Sequence, residues 1–432
     1  MVDISTRRIL ALAVPALGAL AADPLLSLVD TAFVARLGSE QLAALAIDVA
    51  IFGFAFAAFN FLAYATTPLV AAARGRGDLE SAGNVIAQAV TLAVFIGVLA
   101  GLFLAIAADP LVGLFRPESA VRGPAVDYLR VRALAIPALL VVTAGHGAFR
   151  GLQDTRTPLW ITLVVNGLNA ALDPILMFGA GFGLAGAAGA TVVAQWIGAG
   201  VFLHLLAHRG RRQGWKLRMV PLRSTRPLMR VGGLLVLRTG LLVSSLAIAT
   251  AAATAIGTEA AAGHQVVSQI YFLLAMVVDA LAIAAQAMVG EAWGSGGRSA
   301  SRRISHELYR WGLVAGVGIG VIVATSAAAI GPLFALEPAV EEVTRQALLV
   351  TAAMQPVAAL LFVADGVFLG IMAIRWLAAS TAAGFVAMVV GAWAAVAFGW
   401  GLVGVWLAMT AMVLARGLVL AVGQRRLLPA GT

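Results

Sequence analysis

Residues 81–108 read SAGNVIAQAVTLAVFIGVLAGLFLAIAA, 28 positions without a charged side chain. A span of hydrocarbon needs about 20 predominantly apolar residues in a helix. The run is continuous rather than alternating, which excludes the strand of a membrane barrel. The rest of the chain repeats the pattern. Of its 432 residues, 61% are hydrophobic and 11% charged, where a soluble domain carries about 25% charge and 45–50% apolar residues. A water-soluble enzyme or nucleic-acid binder of this length has no means of hiding so much apolar surface.

Apolar segments bounded by Gly, Pro or charged clusters give twelve helices, at 7–36, 41–72, 81–108, 120–150, 157–179, 184–208, 227–257, 260–292, 299–330, 340–372, 375–398 and 402–424. The reading is an all-α polytopic membrane protein. The first segment is too long, and with Asp23 and Asp30 too acidic, for a cleavable signal peptide. The absence of cysteine removes disulfides, thiolate chemistry and Cys-based metal sites.

Charge sets the orientation. One set of alternate loops carries Arg7, Arg8, Arg74, Arg76, Arg150, Arg156, Arg298, Arg302, Arg303, Arg375, Arg425 and Arg426, together with the basic stretch from Arg209 to Arg226. The opposite set holds Arg36, Arg116 and Arg122, and adds Glu337, Glu341 and Glu342. Positive residues stay on the cytoplasmic side, so both termini and the central loop are expected there, in a bacterial plasma membrane. The net charge of +9 is then a topology signal and does not imply nucleic acid as a partner.

Matches recur at a spacing of 219: Gly97 and Gly101 with Gly316 and Gly320, and Pro137, Gly147, Phe149 and Gly151 with Pro356, Gly366, Phe368 and Gly370. A repeat of six helices returns the chain to the same side, so the halves are parallel repeats, the usual make-up of an alternating-access transporter. The expected organisation is a six-helix lobe over 1–208, a basic linker over 209–226 and a second lobe over 227–432. Gly97, Gly101, Gly312, Gly316 and Gly320 are small residues at four-residue spacing, read as close helix packing. The glycines at 316, 318 and 320 lie inside an apolar helix and form no dinucleotide loop. Pro15, Pro137 and Pro356 are expected to bend their helices.

Acids deep in a bilayer cost several kcal/mol and normally face the bundle interior with a function. In the first half these are Asp23, Asp30 and Asp173. Asp30, Asp173 and Thr191 fall at one depth, roughly 9–10 Å below the outer boundary. Asn169 and Asp173 share a helical face, as do Asp23 and Asp30. Burial and a neighbouring carboxylate both favour a protonated acid, so Asp30, Asp173, Asn169, Thr191 and Asp23 form a candidate proton site. The same oxygens also suit Na⁺. In the second half the candidates are Asp279, Asp365 and Arg238; by depth, Arg238 is expected to reach Asp279, and Arg416 to reach Asp365. At the repeat spacing Asp365 falls opposite His146 and Asp279 opposite Asn60, so the halves do not share ionisable chemistry.

Phe56, Tyr64, Tyr271, Met276 and Met288, with Phe59, Trp160, Met177 and Phe272, supply aromatic and thioether surface for a wall that accepts bulky amphipathic ligands. His264 and Gln265 read as a helix-packing hydrogen bond. No phosphate loop, nucleophile elbow or HExxH is present, so neither an enzyme nor an ATP-driven pump is expected, and no cofactor beyond the coupling ion.

The string Asp23-Pro24-Leu25-Leu26-Ser27-Leu28-Val29-Asp30-Thr31-Ala32-Phe33-Val34, followed by Leu37-Gly38, resembles the first helix of multidrug and toxic compound extrusion (MATE) transporters of the DinF-like branch. Asn169 through Pro174, Gly263-His264-Gln265, Asp279 to Gly294, and Asp365 through Gly370 extend the resemblance over essentially the whole chain. It implies two six-helix lobes and export of cationic or amphipathic compounds in exchange for H⁺ or Na⁺. It associates the proton with Asp30, supported by Asn169, Asp173 and Thr191. Other branches hold a cation on a seventh-helix acid in the second lobe, where this chain carries Arg238. The combined expectation is a monomeric proton-driven antiporter in contact with membrane lipid. The alternatives are Na⁺ coupling in the same fold, flipping of a lipid-linked precursor, and a structural or receptor protein without gradient-dependent flux.

Overall fold

A computed structural model describes residues 5–429; the side chains of residues 54–58 fall outside the described set, and with them the cavity candidate Phe56. Among the described residues the chain is helical throughout and has no strand. The helices are α1 (Thr6–Ala35), α2 (Ser39–Phe59), α3 (Phe61–Gly75), α4 (Leu79–Ile106), α5 (Ala108–Gly113), α6 (Ser119–Ala133), α7 (Ile136–Gly151), α8 (Arg156–Pro174), α9 (Gly183–Gln213), α10 (Arg226–Ile256), α11 (Thr258–Leu333), α12 (Pro338–Gly370), α13 (Ile374–Ala397) and α14 (Gly401–Leu427).

Nine of these described helices are long and apolar enough to cross a membrane. The remaining passes are spans that the sequence draws as single helices and the structure draws otherwise. The second span breaks at Asn60, between α2 and α3, and the fourth at Leu134–Ala135, just ahead of Pro137. Proline disfavours helix in the residue before it and lacks the N–H that would continue the ladder. Conversely, the eighth and ninth spans run together as α11, whose helical geometry fails at Gly297 (φ 66°, ψ −146°). That region of backbone space is essentially reserved for glycine. With α11 counted as two passes, the architecture is a twelve-span all-helical membrane fold.

The chain forms two compact units, one spanning Val14–Gly232 and the other joining residues up to Ala13 with those from Gly233 onward. The start of α1 therefore belongs to the second unit, where Arg8 pairs with Glu291 of α11. The stretch after α9 is tied down within the first unit. Gly214 adopts the left-handed conformation (φ 82°) that ends the helix. Trp215 is buried, and Val220 N–H donates to Thr91 Oγ1 of α4 at 3.1 Å.

The 219-residue repeat appears as the same contact made inside each unit. A Cβ on Gly97 would lie 2.5 Å from Pro137 Cα, and one on Gly316 2.8 Å from Pro356 Cα. One on Gly147 would lie 2.9 Å from Ala63 Cα, and one on Gly366 2.3 Å from Ala282 O. Each contact in one unit has its partner 219 positions along in the other. The small residues are thus where helices touch backbone to backbone, as their spacing predicts.

Candidate functional site: a buried acid cluster in the first unit

The first unit gathers four of the five expected first-lobe residues. Helix α8 ends at Pro174, which has no N–H for the carbonyl four residues back, and the chain continues as a π-helical turn, Ile175–Gly179. Asp173 sits directly before this widening and is fully buried. Gly186 of α9 packs on the turn, where a Cβ would meet the Leu176 carbonyl carbon at 2.7 Å. This close approach brings α9, and with it Thr191, beside α8.

The Asn169 amide, oriented by its hydrogen-bond network, donates from nitrogen to Asp30 Oδ1 at 3.2 Å and accepts at oxygen from Thr191 N–H at 3.1 Å. Thr191 Oγ1 donates to Ala187 O at 3.1 Å. The Asp30 and Asp173 carboxyls are neighbours that act on one another electrostatically. No N–H or protein hydroxyl donates to either Asp173 oxygen among the described residues. Asp173 is sealed, while Asp30 is partly accessible.

Asp23 does not join this group. Seven residues earlier on α1, it is exposed, accepts from Asn166 Nδ2 at 3.2 Å and feels the charge of Arg150. Seven helical residues rise about 10 Å, so sharing a face with Asp30 does not mean sharing a site.

Three members of the neighbourhood escape the sequence reading: Asp48 on α2, and Tyr128 and Arg132 on α6. Asp48 is wholly buried, and among the described residues neither carboxylate oxygen has a hydrogen-bond partner. Tyr128 is buried and lies within electrostatic range of Arg132, Asp48, Asp30 and Asp173. Asp48 was detectable, because it lies seven residues into its expected span, the same count that placed Thr191.

In the second unit the expected Arg416–Asp365 pair forms, and Arg238 joins it. Arg238 of α10 donates to Asp365 Oδ2 at 2.5 Å, and Arg416 of α14 donates to the same oxygen at 2.6 Å. Matching by depth does not give the direction in which a side chain leaves its helix, and both guanidiniums reach Asp365 of α12. Asp279 is partly buried and engaged in an interaction. All three members of the Arg238–Asp365–Arg416 group are buried.

The wall candidates separate by exposure. Tyr271 is buried, edge-on to Trp406 at 5.8 Å between ring centroids. Met288 is wholly buried within the packed run of α11 and offers no surface to a ligand. Met276 and Tyr64 are partly accessible, and Trp160 is 65% exposed on the outside of α8. His264 packs on Trp406 and shares its Nε2 with Thr250 and Ser268, each at 3.3 Å.

A duplicated, twelve-span helical protein with ionisable groups gathered inside each unit belongs to the class of polytopic membrane transporters. The MatE family model matches the chain twice, over residues 15–175 and 235–394, once in each unit, and the chain belongs to that family. The protein DETOXIFICATION 44, chloroplastic, of Arabidopsis thaliana is 34% identical over 440 residues, covering 97% of this chain and 81% of that one. DNA damage-inducible protein F of Escherichia coli is 30% identical across 63% of this chain and 60% of its own length. A crystal structure of MATE in the bent conformation shares the fold with a TM-score of 0.90 at 22% identity, covering 97% of this chain and 95% of the other.

Proposed function

We propose that the protein is a proton-driven antiporter that exports cationic or amphipathic small molecules, with the Asp30–Asp173 pair as its proton-binding site and Asn169 and Thr191 as its supports. The observation that carries this reading is the Asp173 carboxyl: fully buried, with the Asp30 carboxyl beside it and, among the described residues, no N–H or hydroxyl donor. Two carboxyls this close hold one proton between them far more readily than two negative charges. A proton shared by the pair supplies the missing hydrogen bond. Asp30, the accessible partner, is where the proton enters and leaves. Losing it places a second charge in a buried site, which favours the conformation that admits water or a cationic substrate. The proton drives transport only through this difference in affinity between two states.

Asp365 supports a single coupling site. Its carboxylate already holds two guanidiniums, a structural arrangement that leaves a second-lobe Na⁺ little negative charge to bind. The arginine distribution supports an orientation with both termini cytoplasmic.

The test is flux of the fluorescent cation ethidium in proteoliposomes under separate H⁺ and Na⁺ gradients, wild type beside Asp30→Asn. The reading expects flux driven by a pH gradient and abolished in the variant, with folding intact. Flux driven by Na⁺ at fixed pH, or a variant that still exports under a pH gradient, overturns it.

A further inference from the structure

Asp48 has no role in the site described so far, yet it is the most completely buried acid near it. It sits midway along α2 with zero exposure and, among the described residues, no donor to either oxygen. An ionised carboxylate in that position would forgo its hydration with nothing in return, a penalty of several kcal/mol. Four residues on, and therefore on the same face of α2, lies Phe52. The Arg132 guanidinium of α6 rests over its ring, 5.3 Å from the centroid. Arg132 makes no ion pair within 4.0 Å among the described residues. Its charge nonetheless acts on Asp48, Asp30 and Asp173.

The remaining charges near α2 are occupied or turned away. Asp109 of α5 pairs with Arg122 of α6 at 3.0 Å, and Asp127 and Arg130 of α6 are exposed. Three carboxyl groups lie within electrostatic range of this one guanidinium, as does the buried Tyr128. Such a group is electrically balanced when two of the carboxyls are protonated, and Asp30 and Asp173 share only one of those protons.

We propose that Asp48 carries a second exchangeable proton, and that Arg132 is its reserve counter-ion, moving from the Phe52 ring onto the Asp48 carboxylate when that proton leaves. The step is proton transfer alone: the Asp48 O–H bond breaks, its electron pair stays on the carboxylate, and the proton passes to water. The resulting charge is neutralised by a group already within electrostatic range. This inference rests on the proton-coupled reading above and adds a stoichiometry of two protons to it.

The experiment is ethidium accumulation in proteoliposomes at a pH difference of one unit, with the membrane potential clamped to zero. Each coupled proton contributes about a tenfold substrate gradient, so wild type should reach about a hundredfold and Asp48→Asn about tenfold, with Asp48→Glu restoring the wild-type value. A hundredfold gradient in a folded Asp48→Asn protein overturns the inference while leaving proton coupling intact. If Asp48→Asn does not fold, wild type alone still decides, since a tenfold wild-type gradient excludes the second proton. Accumulation under a Na⁺ gradient with no response to pH would instead remove the proton-coupled reading beneath it.

Discussion

At the scale of single residues, the two units treat their buried carboxylates in opposite ways. Asp365 is held by two guanidiniums and Asp173, among the described residues, by no N–H. Removing one arginine leaves Asp365 a partner, whereas removing the acid leaves two buried guanidiniums facing each other. Breaking a buried ionic group by deleting its centre costs about 3–5 kcal/mol. Asp365→Asn should therefore lower the thermal midpoint in detergent much more than Arg416→Met; equal losses would contradict this view of the group. Asp154, in the loop before α8, provides a pH handle. Burial pushes its carboxyl up, but Thr157 N–H and Oγ1, donating at 3.0 and 2.8 Å, and Arg209, donating at 2.9 Å, outweigh burial and hold it below the usual carboxylate range. A depressed folded value means stability that is complete above the unfolded value, near 3.9, and lost as pH falls through the folded one. Asp154→Ala should cost about 1 kcal/mol at pH 7. It should also flatten the fall of the melting temperature below about pH 4, read by scanning wild type and variant side by side.

At the scale of helices, glycine positions decide how closely the elements pack. Alanine is favoured over glycine in a helix by about 1 kcal/mol, whereas forcing a methyl into packed backbone costs about 1–3 kcal/mol. At Gly147 a Cβ would lie 2.9 Å from the Ala63 Cα, and at Gly366 2.3 Å from a carbonyl oxygen, both backbone atoms, so the clash dominates at each; at Gly318 of α11 nothing lies within 4 Å. Gly147→Ala and Gly366→Ala should therefore destabilise clearly and Gly318→Ala should not, as measured by thermal unfolding in detergent. A neutral Gly147→Ala or Gly366→Ala would mean that the helices at these crossings yield to an added methyl. These glycines were legible as a repeat because only a backbone contact fixes a residue type so strictly. The breaks at Asn60 and before Pro137, and the merging of two spans through Gly297, were not, because apolar composition sets where a span lies and says little about its internal continuity.

At the scale of the whole molecule, twelve spans and a duplicated architecture followed from composition and from one repeated spacing. The membership of the Asp30, Asn169, Asp173 and Thr191 cluster followed from depth and helical phase. Depth alone did not show that Arg238 reaches Asp365, and it grouped Asp23 with a site about 10 Å away. Asp48 was legible by the same depth count and was passed over, whereas the part played by Arg132 was not legible. Its cation–π contact is a property of neighbouring helices that no single helix reveals. What unites the account is an exchange of protons for substrate at the buried acids of the first unit. Proton counting in weakly buffered detergent solution tests it most directly: ethidium is added to the purified protein and the released protons are read with a pH-indicating dye. Wild type should release protons on binding, and Asp30→Asn/Asp173→Asn should still bind ethidium while releasing markedly fewer. Undiminished release from the double variant would place the exchanged proton elsewhere and contradict the account.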